Sequence, residues 1–236
     1  MNRSVFTLIL SFVFSASFAQ DMGLHLGHQM FSVFNSPTNL HGISVGLDIP
    51  RTGFVTPYGQ FTAFLPKKYS EDNVGQAVPK DPADPYLTIG AESRVASYSM
   101  EFGTMYYFGG AYDYGFSVMM HNSFRVLFTP TKRELIGYNP AKYDFFPNNP
   151  DFNTTSSTGL VLNTSFGLGA KYSFEWGSLY ALAGLEIFLF GTNPPPYYTS
   201  AFSYHTRIGV RRELDFSNTP KQKEERTKRQ RERDNW

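Results

Sequence analysis

Three stretches in the second half of the chain alternate apolar and polar side chains over 11 to 13 residues each, at 160–172, 179–190 and 201–211. Alternation with a period of two predicts β-strands. Strands of soluble proteins usually have about 5–6 residues, whereas a tilted strand that crosses a bilayer needs about 9–11. The length of the alternation therefore favours strands that span a membrane.

The two faces of these predicted strands differ in chemistry. On the stretch 201–211, the apolar face carries Phe202, Tyr204, Thr206, Ile208 and Val210, and the polar face carries Ser203, His205, Arg207, Gly209 and Arg211. In a soluble barrel the apolar face would point inward, and small glycines would leave its core underfilled. An apolar outside in contact with lipid and a polar lumen explain both faces.

Five further stretches complete the predicted barrel. They are residues 22–32, 41–49, 54–65, 98–108 and 114–128. Asn122 is the one misfit, since it falls on an apolar face, and Pro57 leaves the facing of its own strand open. We therefore expect an all-β fold over residues 20–213, namely an eight-stranded antiparallel up-and-down transmembrane β-barrel.

The connections between the predicted strands alternate in length. Short turns at 50–53, 109–113 and 175–177 are interleaved with longer segments at 33–40, 66–96, 129–157 and 191–197. Short periplasmic turns and long outer connections are typical of bacterial barrels, and this arrangement places the start of the barrel in the periplasm. The two longest segments are either binding loops on a rigid scaffold or extensions of the strands beyond the membrane.

The first 19 residues have the pattern of a secretory signal peptide. Asn2 and Arg3 form a short positive start, residues 5–14 are apolar, and Ser17 and Ala19 are small residues before the predicted cleavage site. A retained N-terminal anchor is the alternative, although the apolar run is too short to span a bilayer as a helix. After it, no window of 18 apolar residues occurs, so a membrane-spanning fold requires a closed barrel.

The composition excludes several functional classes. The absence of cysteine excludes disulfides, thiolate chemistry and Cys-ligated metals, and we predict no cofactor and no metal. The formal net charge of +1 gives no indication of nucleic-acid binding. Aromatic residues near predicted strand ends suit the interfacial girdles of membrane barrels: Tyr98, Phe128, Tyr172 and Trp176.

On these strands, residues 22–212 resemble the small outer-membrane β-barrel proteins of Gram-negative bacteria, the broad group that includes OmpA-type, OmpX-type and OmpW-type barrels. The resemblance lies in the pattern of strands and involves no diagnostic motif. It implies a protein embedded in outer-membrane lipid and inserted by the outer-membrane assembly machinery, with 202–210 as part of the last-strand signal. The chain departs from many such barrels by continuing for about two dozen residues after that strand.

An eight-stranded barrel is just wide enough for its inward side chains to fill it, which argues against a wide pore. The inward ionisable residues form a predicted polar cluster: Glu101, His121, Arg125, Lys171, Glu186, His205, Arg207 and Arg211. We expect Glu101 to lie nearly opposite His121, and Glu186 to face His205 and Arg207. Because an unpaired buried charge costs several kcal/mol, a paired polar plug is favoured over a narrow gated channel for small solutes.

A hydrolase is the enzymatic alternative. His121 and Ser123, with Glu101 or Glu134 as the carboxylate, supply the residue types of acyl transfer. The His-x-Ser pattern loosely resembles that of the barrel lipid A deacylases, which implies a lipid-modifying site. Phe124 and the residue after it depart from that family, and both candidate side chains face the predicted lumen. We therefore expect no enzyme.

Three other histidines could suggest a metal site. His25 and His28 point to opposite faces of one strand, so they cannot share an ion without distortion, and His41 lies elsewhere. We interpret all three as incidental.

The segment 214–236 is highly charged and cannot fold alone. Its basic residues from 217 onward are Lys221, Lys223, Arg226, Lys228, Arg229, Arg231 and Arg233. This tail is either a solvated end, disordered or helical, or a contact for a periplasmic protein or the cell wall. The resulting hypothesis is a non-enzymatic outer-membrane scaffold or binding protein whose outer segments and tail contact partners, such as a secretion or envelope assembly.

Overall fold

The computed structural model describes residues 21–49, 55–108, 115–137, 139–148, 156–174 and 176–215. This part of the chain forms nine strands: β1 (Asp21–Val33), β2 (Asn39–Asp48), β3 (Val55–Pro79), β4 (Leu87–Phe108), β5 (Gly115–Ile136), β6 (Tyr143–Pro147), β7 (Ser156–Phe174), β8 (Gly177–Thr192) and β9 (Phe202–Asp215). None of the described residues belongs to a helix long and apolar enough to cross a membrane. The predicted signal peptide, the three short turns (apart from Trp176 and Gly177) and the tail beyond Asp215 lie outside the described residues.

Eight of the strands close into a ring. Each strand of the ring pairs antiparallel with the next one along the chain, and β1 also pairs with β9 over its whole length, from Asp21↔Asp215 to Val33↔Ser203. The pairing of β2 with β3 completes the circuit. β6 lies outside the ring and pairs with the far part of β3. The predicted eight-stranded up-and-down barrel is confirmed.

The alternation of side chains separates an apolar outside from a polar inside. Phe166, Leu185 and Ile208 have 54%, 59% and 66% of their surface exposed, while Glu186 and His205 are fully buried within the ring. Asn122 is exposed on the outside, as the pattern requires. On β3, where the sequence left the facing open, Tyr58 points inward and Phe61 points outward. The outer face is therefore suited to lipid rather than to water.

Three strands continue far beyond the others at one end of the barrel. β3 and β4 stay paired from Val55↔Tyr106 to Ala77↔Leu87, with irregularities after Phe64 and Glu71, and β5 follows β4 as far as Ile136. We call residues 66–79, 87–97 and 129–136, together with β6, the extension. Of the two alternatives that the sequence leaves open for 66–96 and 129–157, strand extension holds for most of the described residues.

The extension has a small apolar centre of its own. It consists of Val74, Ala77, Ile89, Ala91 and Tyr143, with Leu87, Leu135 and Phe145 packed against it. Because β6 adds a further strand next to β3, this part of the sheet is held by both packing and backbone hydrogen bonds. We call the opposite end of the barrel, where β1 begins and β9 ends, the turn end.

Candidate functional site in the barrel lumen

An apolar layer closes the lumen at the end nearest the extension. It contains Phe31, Val33, Leu40, Phe64, Val95, Leu127, Val161 and Tyr197. Seven of these residues project inward from six strands of the ring, whereas Tyr197 belongs to the segment 193–201 between β8 and β9. The sequence predicts a loop at 191–197, and the structure adds that this segment turns into the mouth of the barrel.

Two tyrosines of this segment make polar contacts in the lumen. The hydroxyl of Tyr197 lies 2.9 Å from Ser97 Oγ, and the hydroxyl of Tyr198 donates to Asn163 Oδ1 at 2.7 Å. Burial raises the pKa of Tyr198 to about 12 and raises the pKa of Tyr197 further, so both phenols are neutral in the folded protein near neutral pH. They act as hydrogen-bonding plugs at the mouth.

A network of paired charges lies below the apolar layer. Arg125 Nη2 lies 2.5 Å from Glu101 Oε2, and Nη1 of the same guanidinium contacts Glu186. Arg207 Nη2 also reaches Glu101 Oε2, at 2.7 Å. The network thus contains two carboxylates and two guanidinium groups, all with 1% or less of their side chains exposed. Such a buried set is tolerated because the charges balance and pair.

Further side chains contact the two carboxylates. Tyr58 donates to Glu101, and Ser123 Oγ donates to the same oxygen at 3.1 Å. Asn163 donates to Glu186 at 2.9 Å, and His205 Nδ1 lies 2.8 Å from the other oxygen of Glu186. The two carboxylates are therefore held by ion pairs and by hydrogen bonds to neutral groups together.

The pairing inside the network differs from the predicted one. Glu101 lies opposite Arg125 in the β4–β5 register, whereas His121 lies opposite Met105. The expectation that Glu101 faces His121 is therefore wrong by two inward positions. Glu186 contacts His205 as expected, but Arg207 contacts Glu101 across the lumen rather than Glu186. Register depends on the turn between the strands, and contacts across the lumen depend on barrel closure, which a strand pattern does not specify.

The residues of the hydrolase alternative do not assemble into a catalytic triad. His121 Nε2 lies 3.2 Å from Ser165 Oγ, and the hydroxyl of Ser123 donates to Glu101 instead of to a histidine. Acyl transfer requires a hydrogen bond between the nucleophile and its base. Glu134, the other candidate carboxylate, is exposed on the extension. Both His121 and Ser123 are buried in the lumen, away from the lipid-facing surface.

Glycines make room for the two central histidines. A Cβ atom at Gly184 would lie 2.6 Å from His205 Cε1 and 3.0 Å from His121 Cε1. The rings of His121 and His205 meet edge to face, with centroids 5.3 Å apart. The small inward residues noted in the sequence therefore offset the large ones at the same level of the lumen.

A second apolar layer and a second charged group lie towards the turn end. The layer consists of Tyr58, Met105, Tyr107, Met119, Tyr180 and Leu182. Beyond it, Arg211 Nε lies 2.7 Å from Asp48 Oδ2, and His25 Nε2 lies 2.6 Å from the same oxygen. Lys171 Nζ lies 4.7 Å from the centre of the Tyr107 ring. The structure thus splits the predicted polar cluster, since Lys171 and Arg211 lie at the turn end, whereas the other six residues form the central network or lie next to it.

Several residues of the site were missed by the sequence analysis. Asp48, Tyr58 and Asn163 each bind a charged partner in the lumen or complete its hydrogen bonding. The alternation in β2 does carry a signal for Asp48, because this residue shares the inward face with Ser44. His25, interpreted as incidental, is the partner of Asp48.

On the outside, His28 and His41 stack on each other, with Nε2 and Nδ1 3.3 Å apart. Within the described ranges, no group of three or more His, Cys, Asp or Glu side chains is arranged to hold a metal ion. The basic residues of the predicted tail, from Lys221 to Arg233, lie outside the described ranges.

No protein-family model matches the chain, and no curated protein matches it. Several solved structures are similar to it. The attachment invasion locus protein Ail of Yersinia pestis, in complex with the heparin analogue sucrose octasulfate, is 10% identical with a TM-score of 0.46, over 84% of this chain and 100% of Ail. Neisserial surface protein A is 9% identical with a TM-score of 0.47, over 83% of this chain and 96% of that protein. A major outer membrane protein of Thermus thermophilus is 10% identical with a TM-score of 0.45, over 82% of this chain and 99% of that protein. At TM-scores below 0.5 these likenesses carry no assignment, and the barrel fold is established by the strand pairing of this chain alone.

Proposed function

We propose that the chain is a non-enzymatic outer-membrane scaffold: a closed barrel that holds a rigid extension outside the cell and a charged tail in the periplasm. The observation that carries the proposal is the filled lumen. An apolar layer, a charge network, a second apolar layer and a second charged group follow one another along the barrel axis.

This layering favours a scaffold over a narrow channel. A hydrated ion would have to pass two apolar layers, and it would have to separate the paired charges of Arg125 and Glu101 between them. Breaking a buried ion pair so that one charge is left without its partner costs about 3–5 kcal/mol. The functional surfaces are therefore proposed to lie outside the lumen.

The extension is the surface best suited to bind a partner. Its strands are fixed by the pairing of β3 with both β4 and β6, and its apolar centre leaves Phe146 58% exposed on the edge strand. A preformed surface loses little conformational entropy on binding, which favours affinity. The apolar outside of the ring supports placement in outer-membrane lipid, after export and insertion by the outer-membrane assembly machinery.

The tail is the second proposed contact. β9 runs to Asp215 at the turn end, so residues 216–236 start where β1 also starts. With the turn end in the periplasm, the basic residues of this segment would meet a periplasmic protein or the cell wall.

Site-specific photo-crosslinking in intact cells tests the scaffold. A photoreactive phenylalanine analogue at Phe146, on the extension, is expected to capture a component outside the membrane, whereas the same analogue at lipid-facing Phe166 is expected to capture lipid only. For the tail, the partners captured by the full chain are compared with those of a chain that ends at Asp215. A barrel that is present in the membrane but captures nothing through either Phe146 or the tail would contradict the scaffold function.

Planar-bilayer recordings test the closed lumen separately. The full chain, inserted as shown by protection from protease, is expected to give no stepwise conductance at any voltage. A reproducible unit conductance would contradict the closed barrel and favour the narrow channel.

A further inference from the structure

The apolar outside of the barrel ends in a defined belt where the extension begins. Leu65, Tyr98, Phe128 and Leu160 are outward-facing residues on four adjacent strands, and Tyr98 lies opposite Phe128 in register. Phe61 stacks on Tyr98 from the membrane side, with ring centroids 6.3 Å apart. In membrane proteins, Trp and Tyr are enriched at the membrane–water interface, where the acyl chains of the lipids meet their headgroups.

A row of cations follows this belt on the same outward face. Lys68 lies opposite Arg94, and Arg94 lies opposite Lys132, so three neighbouring strands present positive charge at one height. On the next strand the position opposite Lys132 is occupied by Ser156, which has a hydroxyl group instead of a positive charge. On β4, Arg94 follows the belt residue Tyr98 by four positions, which is about 14 Å along an extended strand before tilt is considered. The row is therefore placed at headgroup height.

The acidic residues of this surface stand one step further from the membrane. Glu92 lies opposite Glu134, two positions beyond Arg94 and Lys132 on their strands. Lys68 pairs with Glu92 at 2.6 Å, and Lys132 pairs with Glu134 at 3.2 Å. No described carboxylate pairs with Arg94. The positive charges therefore lie nearer the membrane than the negative ones, and a ligand that approaches from the membrane meets the cations first.

An open cleft of about 630 Å³ lies at this place. Its lining includes Arg94 and Lys132 from the cationic row, Ala96 and Pro130 from the side of the belt, and hydroxyl-bearing Ser156 and Thr158 from β7. Arginine and lysine bind phosphate through charge-assisted hydrogen bonds, and hydroxyl groups of serine and threonine hydrogen-bond to sugars. Apolar side chains on the membrane side suit the start of an acyl chain.

The cationic row occurs on one side of the barrel only. The rim between β1 and β2 (30–40) and the rim between β8 and β9 (187–204) contain no lysine or arginine. General attraction to an anionic surface would act all round the rim, whereas a one-sided row next to a cleft is suited to a single bound molecule.

We infer that the cleft beside Arg94 and Lys132 binds the phosphorylated headgroup of a glycolipid in the surrounding leaflet. The cations hold the phosphate, the β7 hydroxyls contact the sugar, and the acyl chains lie along Tyr98 and Phe128. This inference rests on the proposed placement of the barrel in the outer membrane. It goes beyond that proposal by assigning a lipid class and a site to the outward face of β3–β5 and β7.

Native mass spectrometry of the full chain in detergent tests the inference. The probes are a bisphosphorylated lipid A, the same lipid with both phosphates removed, and inositol hexakisphosphate as a phosphate source without acyl chains. The variant Arg94→Gln/Lys132→Gln removes the two cations of the row that line the cleft. The matched control Lys80→Gln/Lys142→Gln makes the same change of charge next to the far ends of β3 and β6, away from the cleft.

The wild-type chain is expected to bind the bisphosphorylated lipid at least about tenfold more tightly than the dephosphorylated lipid. Arg94→Gln/Lys132→Gln is expected to lose this preference, and the control variant to keep it. Glu134→Gln frees Lys132 from its carboxylate and is expected to increase the affinity, which provides a second test should the double variant fail to fold.

Equal lipid binding by the wild-type chain and Arg94→Gln/Lys132→Gln, or an affinity lowered by Glu134→Gln, would overturn the inference. Displacement of the lipid by equimolar inositol hexakisphosphate would also overturn it, because the cleft would then be a site for soluble polyanions. Insertion into lipid vesicles is measured in parallel. A wild-type chain that does not insert contradicts the membrane scaffold itself, whereas a chain that inserts without preferring the phosphorylated lipid contradicts only the present inference.

Discussion

Arg125 Nη2 lies 2.5 Å from Glu101 Oε2 inside the barrel, and neither side chain has more than 1% of its surface exposed. The two residues are direct partners in the β4–β5 register, so the strand pairing itself brings the charges together. The same guanidinium contacts Glu186 on β8, which is separated from β5 by one strand of the ring. One arginine thus connects strands that are not neighbours in the ring, which gives it a central role in barrel stability.

Replacing this arginine by an apolar residue of similar length is expected to be strongly destabilising. Arg125→Met leaves Glu101 and Glu186 buried with fewer cationic partners, and the expected loss is about 3–5 kcal/mol of unfolding free energy. Equilibrium unfolding in urea, followed by the heat-modifiable migration of the barrel, measures this loss. Arg212→Met, at an exposed position on β9, is the control and is expected to change stability by less than about 0.5 kcal/mol. Equal effects of the two substitutions would refute the central role of Arg125.

A charge on the lipid face is expected to cost more in the middle of the barrel wall than near its rim. Leu185 lies in the middle of β8, between Phe166 and Tyr204 in register, and Leu65 lies in the belt below the extension. Leu185→Arg should lower the unfolding free energy in vesicles by about 2–4 kcal/mol, and Leu65→Arg by about 0–1 kcal/mol. The same urea titration measures both. A cost independent of depth would mean that this face does not contact a bilayer.

The tyrosine plug predicts a defined loss of stability at alkaline pH. The pKa of Tyr198 is raised to about 12 in the folded protein because of burial, whereas an unfolded tyrosine titrates near about 10. The contribution of the neutral phenol is therefore fully present below pH about 10, and it is lost as the pH rises towards 12. Tyr198→Phe also removes the hydrogen bond to Asn163, at a cost of about 1 kcal/mol near pH 8.

Urea titrations of the wild-type chain and of Tyr198→Phe in detergent between pH 8 and pH 12 measure this effect. The stability difference between the two proteins is expected to shrink across the upper part of this range. Tyr172→Phe, on the exposed outside, is the matched control. Parallel pH profiles for the wild-type chain and Tyr198→Phe would rule out the buried plug.

The strands of the membrane wall could be predicted from the sequence because lipid and lumen impose opposite requirements on alternate residues. Leu185 and Ile208 on one side, and Glu186 and His205 on the other, are separated by this rule alone. The rule fails at 66–73, where the residues of both faces are exposed or half-buried. Lys67, Lys68 and the residues up to Asn73 therefore resemble a loop in sequence, although all of them belong to β3.

Contacts between distant parts of the chain could not be predicted. β6 pairs with the end of β3 over a separation of more than 60 residues, and its five residues carry no sustained alternation. Tyr197 belongs to a proline-containing segment between β8 and β9, and its side chain packs in the apolar layer with residues from six other strands. The pairing of Arg207 with Glu101 likewise depends on closure of the ring, since β9 and β4 are not neighbours in the barrel.

Photo-labelling with a lipid that carries a diazirine in the middle of its acyl chain tests the central claim most directly. The full wild-type chain is inserted into vesicles, irradiated, digested and mapped by tandem mass spectrometry. Carbene adducts are expected on Phe166, Leu168, Leu185 and Ile208, and none on Ser165, Glu186 or Ser203 from the same strands. Adducts distributed equally over the two sets, or absent from both in a vesicle-bound protein, would contradict a barrel with its apolar side chains in lipid and its charges in a closed lumen.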